Sequence, residues 1–520
     1  MSQMPQTIPA LISAAAQQHP QRIAIREEGV ELSFAALDAL RLQATRALMS
    51  VGIRAGDRVA VWAPNCHEWV AAALAIHSAG AILIPINTRM KGVEAADILE
   101  QSGARLLFCV GEFLNDYFPA MLQGPQLQQR TPALERIVVL GKAHAPDTTW
   151  ADFLALAEQT SEAAALERAA AVKPEDLSDI MFTSGTTGRP KGVMTCHGQN
   201  IRAFDEWSRC VDLKAEDRYL IINPFFHSFG YKAGWLAALM RGCTIYPLAV
   251  FDTDGVLALI GRERISFLPG SPTLFLSFLA HPRLREYDLS SLRVAVTGAA
   301  AIAPSMIHRM RDELGFKIVV TAYGLTECCG VATSCDRDAD AETIATTSGR
   351  ARPGIELRCI AEDGKPVPAG AEGEVVMRGY NVMQGYFNNP EATRETIDAE
   401  GWLHTGDIGI LDERGNLRIT DRLKDMYIVG GFNCYPAEVE RILTAHPAIA
   451  QVAVVGVPDE RQGEVGKAYV VLRAGAQLTA AELVAWSREN MANYKVPRHI
   501  EFVAALPTNA SGKVLKYQLR

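Results

Sequence analysis

The chain has 520 residues, 48% of them hydrophobic and 21% charged, with a net charge of −8. That composition excludes a disordered or collagen-like chain and argues against nucleic-acid binding, which needs a basic face. The length supplies enough core for several domains, or for one large α/β unit with a smaller partner.

The N-terminus MSQMPQTIPALISAAAQQHP lacks a basic stretch before its apolar residues and does not read as a signal peptide. The long apolar stretch WVAAALAIHSAGAILIPI is interrupted by His77 and Ser78, so it reads as a buried helix followed by a strand, not a membrane span. Ten cysteines without a C-x-x-C pair argue against a disulfide framework or a zinc site. A cytoplasmic protein is expected. Cys328 and Cys329 are adjacent and read as core or pocket-lining thiols.

Along the chain, RVAVWAP, AILIPIN, ARLLFCV, RIVVLG, RYLIINP, TIYPLA, ISFLPG, LRVAVTG and KIVVTAYG read as buried strands. Helical patterns such as EWVAAALAIHSAG and SMIHRMRDELG lie between them. Alternation of strand and helix predicts α/β architecture, with parallel-rich sheets covered by helices. Residues 141–149, GKAHAPDTT, read as a surface loop, and SEAAALERAAAV as a helix. Near residue 410 the texture changes. GILDERGNLRIT predicts a hairpin, and YPAEVERILTAHP a helix with Pro436 in its first turn. Strands QVAVVGV, KAYVVLR and HIEFVAAL and helix TAAELVAWSRENM complete a small α+β unit. The expected division is 1–420 for a large multi-subdomain N-terminal unit, 421–424 for a hinge, and 425–520 for a small mobile C-terminal domain.

FTSGTTGRPKGVM, residues 182–194, carries the first chemistry. Pro190 and Gly192 flank Lys191, so the stretch fails the Walker A pattern, and no dinucleotide fingerprint is present. A phosphate cradle of another design remains. Gly185 and Gly188 let backbone approach an anion, Thr183, Ser184, Thr186 and Thr187 add donors, and Lys191 adds charge. An ordinary surface loop seldom combines these features. TAYGLTE ends a strand with Tyr323, Gly324, Thr326 and Glu327, where open α/β sheets place ligands; the carboxylate suits Mg²⁺. HTGDIG places Asp407 between glycines, suited to a ribose diol; DRLKD supplies Arg422, and PTNASGKV supplies Lys513. Each of these alone is an ordinary turn or a solvated charge.

Taken in order, TSGTTGRPKG, YGLTE, GWLHTGD, DRLKDMYIVGGFNCYPAEVE and SGK resemble the motifs of the adenylate-forming superfamily, from about residue 10 to the end. That superfamily contains acyl-CoA synthetases, peptide-synthetase adenylation domains and luciferases. The departures are Cys434, where Val is commoner, and the Cys328–Cys329 pair after the Glu.

The resemblance implies an AMP-forming acid–thiol ligase that uses ATP, Mg²⁺ and coenzyme A. It implies adenine contacts at Gly298, Ala299, Ala300 and Tyr323, and a ribose contact at Asp407 with Arg422 nearby. Thr326, Glu327, His227 and Lys513 would serve catalysis, Glu327 with the metal and Lys513 in adenylation. Lys424 would be the hinge, and Gly430 and Gly431 would line the pantetheine channel.

INPFFHSFGYKAG would line the acyl pocket through Phe226, His227 and Phe229, with Gly324 beside them. His227 could instead be a core histidine. Lys232 either snorkels to solvent or donates to a polar group of a ring substrate. This stretch, with ATTSGR and GGFNCYPAEVE, is similar to bacterial acyl-CoA ligases of steroid degradation, which activate a bicyclic indanedione propanoate. Medium- or long-chain fatty acids, or another alicyclic or aromatic acid, are the alternative substrates. An adenylation domain would hand its acyl group to a carrier protein, and no carrier motif follows Lys513. A non-catalytic nucleotide-binding module would be expected to lack Glu327, Asp407 or Lys513; all three are present. Homo-oligomerisation is left open.

Overall fold

A computed structural model describes residues 4–183, 189–298, 302, 304–422, 426–473, 475–507, 514 and 516–519. Two large sheets and a four-stranded sheet build the N-terminal part, and a further sheet builds the C-terminal domain.

The first sheet orders nine strands as Arg350–Ala351, Thr333–Ser334, Ile318–Tyr323, Val294–Gly298, Phe267–Pro269, Arg218–Ile221, Thr244–Pro247, Ile23–Glu27 and Val30–Ser33. Its six inner strands run parallel, and antiparallel pairs close its two edges. Neighbouring residues along these strands face opposite cores. Phe267 and Val320 join one apolar cluster, Leu268 and Val319 another. Both faces are therefore buried, which is why these strands read as continuous apolar runs.

The second sheet places Leu177–Thr183 parallel to Ile82–Pro85, followed by Arg58–Trp62, Leu106–Val110, Arg136–Leu140 and Thr148–Thr149. Its other edge is antiparallel. Lys191–Cys196 folds back along Leu177–Thr183, with Thr183 opposite Lys191, and Gly385–Tyr386 pairs outside it. The Gly/Thr stretch is thus a hairpin connection, with both ends fixed in a sheet. The expected loop 141–149 ends in the short strand Thr148–Thr149.

Ile355–Ile360, Glu372–Gly379, Leu403–Leu411 and Leu417–Arg422 form the antiparallel four-stranded sheet. The last two are the expected hairpin, with Asp407 opposite Arg422. Beyond it, Gly463–Leu472 pairs with Ile449–Asp459, Tyr427–Val429 and His499–Phe502. Helices Pro436–Thr444 and Ala480–Asn490 belong to the same unit. Tyr427, Val439, Leu443, Val454 and Leu483 form a core of its own, the mark of a separate domain. Among the described residues no helix is long and apolar enough to cross a membrane.

Two histidines sit in the N-terminal core. His77 Nε2 lies 3.0 Å from the Tyr231 hydroxyl, and the Ile8 amide donates to His197 Nδ1 at 3.4 Å. Burial pushes both imidazoles below the ordinary histidine range, His197 to about 4; His197 and Lys232 lower His77 further. The fold therefore holds them neutral, while the unfolded chain takes up protons near pH 6.5. Between pH 6.5 and about 4 the unfolded state binds more protons, so stability falls as pH falls. The contribution is roughly 1.4 kcal/mol per pH unit for each histidine in its window. Urea unfolding from pH 7 to 4.5 should show this slope, and His197→Gln should flatten it by one proton's worth. An unchanged slope would place the acid sensitivity elsewhere.

Candidate active site

The strand Leu177–Thr183 delivers Thr183 to the head of the Gly/Thr connection, and Lys191 begins the return strand. Ser184, Gly185, Thr186, Thr187 and Gly188 lie outside the described residues. Thr183 Oγ1 donates to Glu327 Oε1 at 3.5 Å, and the Tyr386 hydroxyl donates to the same oxygen at 2.9 Å. Lys191 Nζ stands 5.1 Å from the centroid of the Tyr386 ring. The structure thus brings Thr183, Lys191 and Glu327 together from segments more than a hundred residues apart in the chain. Thr326 and Glu327 open a short 3₁₀ turn after the strand Ile318–Tyr323.

Tyr386 has no place in the sequence reading. Its signal is the short strand Gly385–Tyr386, which pairs with Met194 and Val193. The Phe387 amide also bonds to the Gly192 carbonyl at 2.7 Å. Burial first, and Glu327 next, push the Tyr386 phenol far above its ordinary value, so it stays a neutral donor.

The second cluster lies at the C-terminal ends of the parallel strands. The Tyr323 hydroxyl donates to Asp407 Oδ2 at 2.6 Å, joining two of the expected nucleotide contacts. Asp407 is backbone-paired with Arg422. Gly298 ends its strand beside Ala322, and a Cβ there would stand 3.0 Å from the Ala322 carbonyl oxygen. Next to it, the Thr297 hydroxyl is buried without a hydrogen-bond partner among the described residues. A strand end that carries an unused donor, a glycine and a carboxylate fits a nucleoside. Ala299 and Ala300 lie outside the described residues, as do Lys424 and Lys513.

The acyl segment divides. Phe226 lines a cleft of about 270 Å³, with Asn65, Thr88, Phe251, Ser271 and, from the C-terminal domain, Gly430 and Phe432. Gly430 and Gly431 turn through φ +56° and +88°, a left-handed pair that side chains disfavour. A Cβ on Gly431 would come 3.8 Å from Ser271, so the two domains approach closely here. His227 caps the short helix Ser228–Gly230 by accepting the Phe229 amide at 3.2 Å. Its ring reaches solvent, yet the protein packed around it desolvates it and pulls its pKa below the usual histidine value. Phe229 is half-buried against the N-terminal core. Gly324 is exposed; a Cβ there would overlap the Gly330 carbonyl oxygen at 2.4 Å, so the turn requires glycine.

Lys232 corrects both expectations held for it. It is 0% exposed, so it neither snorkels to solvent nor lines an open cleft. Its ammonium donates to Asp179 Oδ1 at 3.0 Å and to Thr195 Oγ1 at 2.9 Å. Asp179 also accepts from Ser178, Thr195 and Asn200. Lys232 stands in a π-helical turn, Tyr231–Leu236, whose backbone leaves helical geometry at Gly234.

A larger, open basin of about 610 Å³ lies at the opposite ends of the strands, between Arg26, Arg218, Arg262 and Arg264. Glu263 pairs with three of those arginines, and nothing of the site described above reaches it.

Residues 12–387 match the AMP-binding enzyme family, and residues 438–513 match the AMP-binding enzyme C-terminal domain. The chain belongs to the AMP-binding enzyme family. The methyl-dioxo-octahydro-indenyl-propanoyl:CoA ligase of Rhodococcus jostii is 50% identical over 100% of this chain and 99% of its own. The enzyme of the same name from Mycobacterium tuberculosis is 50% identical over 99% and 98%. Among solved structures, o-succinylbenzoate CoA synthetase of Bacillus subtilis, bound with its product analogue OSB-NCoA, superposes with a TM-score of 0.82 at 28% identity, covering 98% of each chain. ATP-bound MatB of Rhodopseudomonas palustris, also 28% identical, covers 99% of this chain and 98% of its own, but reaches 0.70.

The Lys232 geometry has a measurable consequence. Lys232→Met strands a buried carboxylate and should cost about 3–5 kcal/mol, read as a lower urea midpoint. Acid preference of the surviving folded enzyme should not move. A changed preference at unchanged stability would return the ammonium to the substrate pocket.

Proposed function

We propose that this protein is an AMP-forming acyl-CoA ligase acting on a bulky bicyclic propanoate of the kind produced by steroid-ring catabolism. The observation that carries the acid is the 50% identity to two ligases named for such a propanoate, spread over essentially the whole chain. The cleft between Phe226 and the Gly430–Phe432 turn supports the thiol half: it is narrow, part apolar, and walled by both domains, which suits a pantetheine arm.

In the first step a carboxylate oxygen attacks the α-phosphorus of ATP and pyrophosphate leaves, giving an acyl-adenylate. Thr183 and Lys191, with the connection between them, hold the phosphates. Tyr323, Asp407 and the Gly298 strand end orient the nucleoside. Mg²⁺, when bound, neutralises phosphate charge, and Glu327 is the carboxylate placed to hold it. Lys513 supplies a second cation to this step. In the second step the sulfur of coenzyme A attacks the acyl carbon, the acyl–phosphate C–O bond breaks, and AMP leaves. AMP is a good leaving group, so this step asks for position more than for acid–base groups.

The two steps use two placements of the C-terminal domain, residues 425–520, pivoting at 421–424 about Lys424. The close approach of Gly431 to Ser271, with Gly430 and Phe432 over the cleft, supports the thioester-forming placement for the arrangement described here.

With ATP, Mg²⁺ and coenzyme A, the enzyme should release AMP and pyrophosphate. It should favour the bicyclic propanoate over palmitate and ferulate by at least about tenfold in kcat/KM, the size of difference that one or two well-made pocket contacts produce. Release of ADP would sink the adenylate reading; a preference for palmitate would sink only the choice of acid.

Glu327→Gln should raise the Mg²⁺ concentration needed for pyrophosphate release and slow adenylation about a hundredfold, the scale for one charged transition-state contact. Tyr386→Phe should shift the same titration less. An unchanged Mg²⁺ titration in Glu327→Gln would assign the residue to structure alone.

A further inference from the structure

One strongly buried ionic group lies outside the site described so far. Lys495 Nζ, 1% exposed, bonds to Glu438 Oε1 at 2.8 Å and to Glu94 Oε1 at 2.7 Å. Lys495 and Glu438 belong to the C-terminal domain, while Glu94 opens the helix Gly92–Ser102 of the N-terminal part. The bond between Lys495 and Glu94 therefore crosses the domain boundary. Next to it, Asn87 Nδ2 donates to the Tyr494 hydroxyl at 3.4 Å, a second crossing contact. Tyr494 stacks on Phe432, ring centroids 4.8 Å apart, and Phe432 lines the cleft with Thr88 and Asn65. One short segment, residues 87–94, thus meets both the cleft wall and the buried lysine.

We infer that Glu94 is a positioning residue for thioester formation, holding the C-terminal domain through Lys495 where Gly430 and Phe432 close over the cleft; this rests on the ligase reading above. The chemistry makes the contact specific to one placement. Lys495 keeps Glu438 wherever its domain goes, because both travel together. Glu94 stays behind and meets Lys495 only when the domain docks. Glu438 uses one oxygen for the lysine and leaves Oε2 buried without a hydrogen-bond partner among the described residues. The lysine therefore divides its donors between the domains instead of saturating its own.

Glu94 has a second task that a careful substitution preserves. Its Oε2 accepts the Lys91 amide at 2.9 Å and caps the helix. Glutamine keeps an acceptor for that amide while removing the charge. It leaves the Lys495–Glu438 pair intact, so no buried ion is stranded and the fold is retained. Asn87 and Tyr494 then remain beside it, joined by one long hydrogen bond.

The test uses the full chain and two readouts. In Glu94→Gln, acid-dependent exchange of pyrophosphate into ATP should stay within twofold of the native enzyme. Single-turnover conversion of supplied acyl-adenylate and coenzyme A to thioester should slow tenfold or more. Glu100→Gln, an exposed acid on the same helix, should leave both rates unchanged. Separately, spin labels at exposed Leu166→Cys and Phe502→Cys report the distance between domains, with half-buried Cys66 and Cys210 replaced by serine. Without ligand the native enzyme should give one dominant distance, and Glu94→Gln a second population. Equal slowing of both half-reactions, an unslowed thioester step, or an unaltered distance distribution each overturns the inference. A native enzyme that forms no adenylate from any acid fails the ligase reading instead, and the distance measurement still decides the contact.

Discussion

The ion pair of Asp179 and Lys232 has no exposed surface, and three parts of the site hang from it. Asp179 lies in the strand that ends at Thr183; Thr195, which bonds both ions, lies in the return strand that begins at Lys191. Lys232 lies in the π-turn that follows Phe226 and His227. The pair therefore fixes the two strands of this hairpin against the segment that carries Phe226 and His227. Taking two charges out of water is costly, and their attraction repays it only when every remaining polar atom is used. Asp179 accepts from four side chains, so the carboxylate meets that condition, whereas Asn200 Oδ1 in the same network is buried without a partner among the described residues. Such a pair adds little net stability, but any other registration of these segments would strand an ion. That is a reason for specificity here rather than for strength.

Much of the scaffold was legible because burial on both sheet faces leaves long apolar strands, and because Pro436 marks a helix start. The strands from Arg58 to Leu140 and from Arg218 to Tyr323 lie where the apolar runs place them. What escaped notice was whatever depends on distant partners. Lys191–Cys196 is a strand only because Leu177–Thr183 lies beside it, and its first four residues, KGVM, belong to the loop motif 182–194. Gly385–Tyr386 is two residues long and has no periodicity to read. Lys232 misled for a related reason: a lysine among aromatics reads as amphipathic unless its carboxylate is known, and Asp179 sits 53 positions earlier within an apolar run. The site motifs were legible as residue types at fixed spacing, whereas the hydrogen bonds that aim them were not.

The interface between the two domains faces an opposite requirement from the core. A core gains from every contact, but a domain that is to take two placements, as proposed above, cannot bind one of them too tightly. Among the described residues the crossing contacts include a lysine–glutamate bond, a long amide–phenol bond, and a glycine turn that adds almost no side-chain area. Polar contacts lose less when they are exchanged for water than apolar ones do, because water replaces the partners. The small domain keeps its own apolar core and its own Lys495–Glu438 pair. That core would stay covered if the domain left the N-terminal part.

The same economy appears at two carboxylates of the candidate site. Glu327 and Asp407 each accept from a tyrosine, Tyr386 and Tyr323, at 2.9 and 2.6 Å. An arginine or lysine in those places would hold the carboxylates more strongly, but would cancel the charge that a metal ion needs and offer ribose a competitor. A phenol orients a carboxylate without bringing a countercharge. Burial, with the carboxylate beside it, drives each phenol well above its ordinary pKa, so neither gives up its proton at neutral pH. Lys191 stands over the ring of Tyr386, not on Glu327 itself, so a cation lies near the acid without neutralising it directly.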